Sequence, residues 1–187
     1  MKPIVILDRD GTVNEEVNYL SRPDQVVLCE GAAEGIRLLM EIGLPVVLIT
    51  NQSGLGRRFF NEATLAQIHE ELRLQLASQG ARLDKIYYCP HLPSDGCDCR
   101  KPAPALARRA AQDFGADLTC SFVVGDKKCD MDLGSAIGAQ RILVRTGYGA
   151  QASIEESAFD FCALNLREAA SHIRSVLTGR GYEKVTV

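Results

Sequence analysis

The sequence predicts an α/β fold, a doubly wound and mostly parallel sheet wrapped by helices. Three observations carry that expectation. Short runs rich in Val and Ile lie at 4–7, 46–49, 86–88, 122–124 and 142–144. They are continuous rather than alternating, the pattern of strands buried on both faces. Helical patterns separate them, so that strand and helix alternate from end to end, as parallel crossover connections require. Two connections, 8–30 and 89–103, are too long for plain turns, and both follow strand ends, where ligands bind in open parallel sheets.

Each helix has a readable stop or start. Residues 32–42 end at Gly43, and 62–79 place Leu65, Ile68, Leu72 and Leu76 on one face before Gly80. Residues 104–114 end at Gly115, and 130–137 lead to Gly138. Glycine just past a helix accepts the left-handed backbone that terminates it. A last helix over roughly 166–177 opens with Asn165 and Glu168 in capping-box spacing. No repeat or low-complexity linker interrupts the 187 residues, which suit one domain over 1–187.

Composition narrows the function class. Hydrophobic residues make up 46% and charged residues 24%, ordinary for a globular chain. With 21 Lys and Arg against 24 Asp and Glu, the net charge of −3 offers no field for gathering polyanions. Trp is absent and aromatics are 6%, which removes most base-stacking platforms, so no nucleic-acid partner is expected. The apolar run before Asp8 is too short for a secretory segment, and nothing approaches the ~20 apolar residues of a membrane span. A soluble, cytoplasmic monomer with no membrane partner is the expectation. Seven cysteines are an odd number, and Cys89, Cys97 and Cys99 lie close together beside His91. In a reducing compartment such a cluster points to metal ligation rather than disulfides.

Four polar clusters follow strand ends. In Asp8-Arg9-Asp10-Gly11-Thr12, carboxylates two apart on an extended chain face the same side and repel unless a cation or proton intervenes. Gly125-Asp126-Lys127-Lys128-Cys129-Asp130 brings Asp126 to the same rim. Asp130 either joins it as a ligand or caps the next helix. Three carboxylates on one rim suit Mg²⁺, which binds through a few carboxylates, water and substrate phosphate. Thr50-Asn51-Gln52-Ser53-Gly54 offers a hydroxyl and successive N–H groups as an anion nest, or else is a plain turn. Arg100-Lys101-Pro102 brings two positive charges to the mouth of a helix. Three thiolates and an imidazole, Cys89, His91, Cys97 and Cys99, suit a closed tetrahedral Zn²⁺ site that staples the loop and presents Arg100 and Lys101. His91 as a general base is the other reading. Cys29, Cys120, Cys129 and Cys162 read as small buried residues.

The order DxDGT, Thr, Lys, GDxxxD over about residues 4–147 resembles the haloacid dehalogenase-like phosphatases, a Rossmann-like superfamily. The resemblance implies Asp8 as the nucleophile that forms an aspartyl-phosphate. It implies Asp10 as the acid that protonates the leaving oxygen and then the base that deprotonates water. Thr50 and Lys101 match the residues that hold the phosphoryl oxygens, and Asp8, the Asp10 main-chain carbonyl and Asp126 those that hold Mg²⁺. For Asp10 to act as an acid near pH 7 its pKa must be raised.

Within the superfamily, CPH…CDCRKP with TNQSG is similar to the heptose-bisphosphate phosphatases, whose nearest relatives are the histidinol-phosphate phosphatases. Ser53, Arg57 and Lys127 favour the first, which would serve nucleotide-activated heptose for bacterial surface polysaccharide. The short span from His91 to Cys97 favours the second. A bisphosphorylated sugar suits Arg57, Arg100 and Lys127 as three spare cations, whereas an amine would be better served by carboxylates. Arg57 and Arg58 as a solvated basic pair is the plainer alternative. The resemblance also sets Glu16, Asn18 and Tyr19 against the sugar, with Asn51, Gln52 and Ser53 nearby. No stretch is large enough for a cap domain, so the loops at 12–28, 52–60 and 89–100 are expected to enclose a small phosphorylated sugar. A non-catalytic zinc-loop binding protein would have lost one of Asp8, Asp10, Thr50, Lys101 or Asp126, and none is lost.

Overall fold

The computed structural model describes residues 2–151 and 154–182, so the extremities of the expected 1–187 unit lie outside the described residues. Six strands, β1 (Val5–Leu7), β2 (Val46–Asn51), β3 (Lys85–Cys89), β4 (Phe122–Gly125), β5 (Gln140–Val144) and β6 (Phe161–Ala163), form one sheet. Their order is β3-β2-β1-β4-β5-β6, and every pairing is parallel. The helices are α1 (Ala32–Ile42), α2 (Ser53–Gly56), α3 (Glu62–Ser78), α4 (Ala105–Phe114), α5 (Lys128–Ile137) and α6 (Leu166–Gly179).

The continuous apolar runs fill both faces of this sheet. Val5, Leu7, Val46, Leu48 and Val124 point into one core with Ile36 and Leu39 of α1, Leu72 of α3 and Ile173 of α6. Ile4, Ile6, Val47, Ile49 and Val123 point into the other with Ala107 and Ala110 of α4 and Leu133 of α5. Successive strand residues alternate faces, so a run that is apolar at every position needs helices on both sides. Gly43, Gly115 and Gly138 close their helices at φ 83°, 60° and 69°. Among the described residues no helix is long and apolar enough to cross a membrane.

The structure departs from the expected elements in four places. β6 is a sixth strand, three residues long, pairing Ile142 with Phe161 and Val144 with Ala163; so short a run carries no periodicity. α2 is a single turn inside the segment expected as a nest or turn. α5 starts at Lys128, ahead of the expected 130. The α6 cap is also rearranged. Asn165 accepts the Glu168 N–H at 3.2 Å, but Glu168 takes the N–H of Leu164 at 2.6 Å, one residue before the cap.

β1 sits at the centre, with β2 on one side and β4 on the other. The carboxyl ends of these three strands meet at the point where strand order reverses, the place such sheets reserve for ligands. Asn165→Ala removes the acceptor at the start of α6, and is expected to cost about 1 kcal/mol. Urea unfolding would measure it, and an unchanged midpoint would contradict the assigned cap.

Candidate active site

β1 carries the chain to Asp8, whose N–H is held by the Val124 carbonyl at 2.9 Å. Asp8 is buried, and its Oδ1 accepts from Lys101 Nζ at 2.6 Å. The same ammonium lies 2.7 Å from Asp130 Oδ1. Asp130 also accepts the Lys127 N–H at 3.1 Å, so it holds the start of α5 and anchors Lys101 together. Asp126 is fully buried at the end of β4; Oδ2 accepts the Tyr148 N–H at 2.8 Å, while Oδ1 has no hydrogen-bond partner. One oxygen each of Asp8, Asp126 and Asp130 lie within 4.8 Å of one another. Gly11, at φ 83°, passes so close that a Cβ would overlap Asp126 Oδ2.

Burial and the nearby Asp8 charge push the Asp126 carboxyl up to about 7. Burial also pushes Asp130 up, to about 6, although Lys101 opposes it. Burial works against the charge on Lys101, but Asp130 and Asp8 outweigh it and keep the amine protonated. An orphaned carboxylate oxygen beside two further hard oxygen donors fits a small divalent cation.

Asp10 sits differently from expectation. Burial would raise its pKa, but the Arg9 charge and hydrogen bonds from Arg9, Asn14 and Gln52 hold it below the usual carboxylate value. Arg9 grips both oxygens, Nε to Oδ1 at 2.9 Å and Nη2 to Oδ2 at 2.8 Å. Asn14 and Gln52 donate at 3.1 and 3.0 Å. Arg9 itself is only 1% exposed, with Nη1 3.4 Å from His69 Nε2. Burial and the Arg9 charge push His69 down to about 3, so its neutral ring accepts from the guanidinium. The expected raised pKa of Asp10 is therefore corrected: in this state it is an ionised carboxylate.

Two expected substrate contacts are turned to other work. Asn51 clamps Lys101 by its main chain, Nδ2 to the carbonyl at 3.1 Å and Oδ1 from the N–H at 3.0 Å. Gln52 donates to Asp10 and, at 2.8 Å, to Thr50 Oγ1. A cavity of about 300 Å³ is lined by Asp8, Asp10, Glu16, Tyr19, Thr50, Asn51, Arg100, Lys101 and Lys127. Cys129 and Tyr148, neither expected there, line it too. A smaller adjoining hollow has Asn18, Gln52 and Ser53 in its wall. Arg57 lines neither hollow; its guanidinium lies over the Tyr19 ring, 5.7 Å from the centroid. Lys127 is already partnered, since Glu16 Oε2 accepts from it at 2.8 Å, so an anion bound there would share the lysine with Glu16. Arg100 does line the cavity, and its Nη1 reaches the His91 carbonyl at 3.4 Å. Cys29 is buried as expected, but Cys120, Cys129 and Cys162 are only partly buried.

Cys89, at the buried end of β3, converges with His91, Cys97 and Cys99. Cys89 Sγ lies 3.6 Å from Cys97 Sγ and 3.2 Å from Cys99 Sγ, and His91 Nδ1 lies 3.1 Å from Cys99 Sγ. Ligand atoms around a tetrahedral zinc stand roughly 3.5–3.8 Å apart, given Zn–S of about 2.3 Å. The donor set suits that ion, the two separations to Cys99 Sγ being shorter than the tetrahedral range, and Arg100 and Lys101 follow the last cysteine directly.

Residues 98–169 match the HAD-hydrolase-like family. The chain is 41% identical over 147 residues to the D-glycero-beta-D-manno-heptose-1,7-bisphosphate 7-phosphatase of Pseudomonas putida, covering 78% of this chain and 84% of that one. It is 36% identical over 180 residues to the enzyme of that name from Salmonella typhi, covering 92% and 95%. Among solved structures, the D,D-heptose 1,7-bisphosphate phosphatase of B. bronchiseptica, complexed with magnesium and phosphate, superimposes with a TM-score of 0.84. It is 38% identical, over 94% of this chain and 99% of that one.

Replacing Arg9 by Met strips Asp10 of its buried counter-charge. The variant is expected to lose about 3 kcal/mol of stability, the cost of breaking a buried ion pair. The Asp10 pKa should also rise, followed by carboxyl NMR titration; a pKa that stays put would contradict the clamp.

Proposed function

The chain belongs to the D-glycero-beta-D-manno-heptose-1,7-bisphosphate 7-phosphatase family of haloacid dehalogenase-like hydrolases, and we infer that it removes the C7 phosphate of that sugar. The observation that carries the chemistry is Asp8, which lines a small polar cavity, is bonded to Lys101 at 2.6 Å and has a carboxylate oxygen within 4.8 Å of one from Asp126, whose Oδ1 is unpartnered. The enzyme would serve the supply of nucleotide-activated heptose for lipopolysaccharide.

A carboxylate and a phosphate dianion repel, so Asp8 attacks only where positive charge surrounds both. Lys101 supplies one such charge, and Thr50 a hydroxyl on the phosphoryl oxygens. Asp8, Asp126 and the Asp10 main-chain carbonyl would hold Mg²⁺, whose charge offsets the rest of the repulsion. Attack by Asp8 forms the aspartyl-phosphate and breaks the bond from phosphorus to the C7 oxygen. Asp10 protonates that oxygen, then takes a proton from the water that attacks the aspartyl-phosphate. Ionised and gripped by Arg9, Asp10 is in the form needed for the second step. The arriving dianion adds negative charge beside it and favours the protonated form needed for the first.

Cys89, His91, Cys97 and Cys99 would hold Zn²⁺ with no open position, a clamp rather than a catalyst. Glu16, Asn18, Tyr19 and Ser53 would meet the sugar, and Arg100 and Lys127 the second phosphate. Arg57 would reach that phosphate only by leaving the Tyr19 ring. Histidinol phosphate carries an amine where the heptose has this second anion. The charged side chains lining the cavity beyond the catalytic set are Arg100, Lys127 and Glu16, a balance that favours an anion. Beside the identity to heptose enzymes, the short span from His91 to Cys97 carries little weight.

Phosphate release with Mg²⁺ tests the assignment, with Asp8→Asn as the inactive control. kcat/KM for the heptose bisphosphate should exceed that for histidinol phosphate by ~100-fold or more, about 2.7 kcal/mol of transition-state binding. The reverse preference would overturn the substrate.

A further inference from the structure

Two exposed aromatic rings, Tyr19 and Tyr148, line the cavity, and a third, Phe59, packs on Tyr19. Tyr19, Phe59 and Tyr148 are 38%, 57% and 52% exposed. Tyr19 and Phe59 pack edge to face on one another, 4.9 Å between centroids. Tyr148 has no such aromatic contact among the described residues, and its ring is too exposed to contribute much to a core.

What the Tyr148 ring does meet is Lys127. The ammonium lies 4.7 Å from the ring centroid. Glu16 Oε2 accepts from it at 2.8 Å, and the orphaned Asp126 Oδ1 stands 4.0 Å away. Lys127 is thus bracketed by two carboxylates and an aromatic face, and it lines both the main cavity and the adjoining hollow. A ring face attracts a cation through its quadrupole without neutralising it. Glu16 and Asp126 alone would pull the ammonium toward themselves and the buried carboxylates. The ring gives it a third support and leaves its charge available to an incoming anion.

The main chain of Tyr148 has a separate task, since its N–H bonds Asp126 Oδ2. Any side chain but proline keeps that bond, so the Asp126 carboxylate does not explain a half-exposed tyrosine.

We propose that Tyr148 is a positioning residue that holds Lys127 on its ring face, ready for the second phosphate of the substrate. The assignment rests on the functional reading above. It makes the turn after β5 part of the selection for a bisphosphate over a monophosphate.

Steady-state kinetics on heptose 1,7-bisphosphate separates this role from a general structural one. Tyr148→Leu should raise KM ~3–10-fold, as loss of a partly exposed cation–ring pair predicts, with kcat within about two-fold. Tyr148→Phe, which keeps the ring face, should retain the wild-type KM. In a Lys127→Met background, Tyr148→Leu should add nothing further, because the two substitutions remove one interaction. An unmoved KM in Tyr148→Leu, a Phe variant as impaired as Leu, or full additivity with Lys127→Met would each overturn the assignment. Absence of wild-type turnover would overturn the functional reading and this assignment with it.

Discussion

One ammonium is buried among three carboxylates. Lys101 bonds Asp8 and Asp130 at 2.6 and 2.7 Å, and Asp126 stands beside them with one oxygen unpaired. Buried charge of one sign is costly unless a proton or a cation balances it. The shifts of Asp126 to about 7 and of Asp130 to about 6 are the protonic form of that balance. The sheet enforces the crowding. Leu7 pairs with Val124, so Asp8 and Asp126 emerge from adjacent central strands, and main-chain bonds rather than side-chain affinity keep them together. A rim built this way would favour a hard cation, because its alternative is to hold a proton.

Lys101 reaches the rim from a long connection with little regular structure of its own. Two devices fix it. Asn51 bonds both the N–H and the carbonyl of Lys101, tying it to the end of β2. The Cys89, His91, Cys97 and Cys99 group closes the connection just before Arg100. Asp10 is fixed by a different strategy, a buried arginine that grips both oxygens and is itself braced against His69. The two carboxylates are therefore tuned separately. Asp8 sits in a field of negative charge and one lysine, whereas Asp10 sits in a shell of donors.

Much of this was legible in the residues. Unbroken Val and Ile runs meant a sheet covered on both faces, and the polar clusters directly after those runs had to meet at one rim. Asp8, Thr50 and Asp126 are readable for that reason, Lys101 only from the order of motifs along the chain, and the cysteine cluster from donor type and proximity. β6 was not, because a three-residue strand has no period. Arg9 hid between two aspartates: alternation along an extended chain sends it away from them, but the chain turns after Asp10 and lets the guanidinium fold back. Spacing alone sets Asn51 and Gln52 toward the ligand, since an amide at a rim donates equally well to a phosphate or to a neighbouring side chain, and spacing does not distinguish the two. Lys127 and Tyr148 belong together only because two distant turns meet, which no local pattern announces.

If buried carboxylate charge awaits a divalent cation, thermal unfolding with and without Mg²⁺ at pH 5 and pH 8 will show it. The folded pKa of Asp126, about 7, lies above the ~3.9 of an unfolded aspartate. Its contribution to stability is then full below ~4 and is lost as pH rises through 7. Mg²⁺ binds the ionised carboxylates, so it should raise the unfolding temperature more at pH 8 than at pH 5. An equal rise at both pH values, or none at either, would contradict the account.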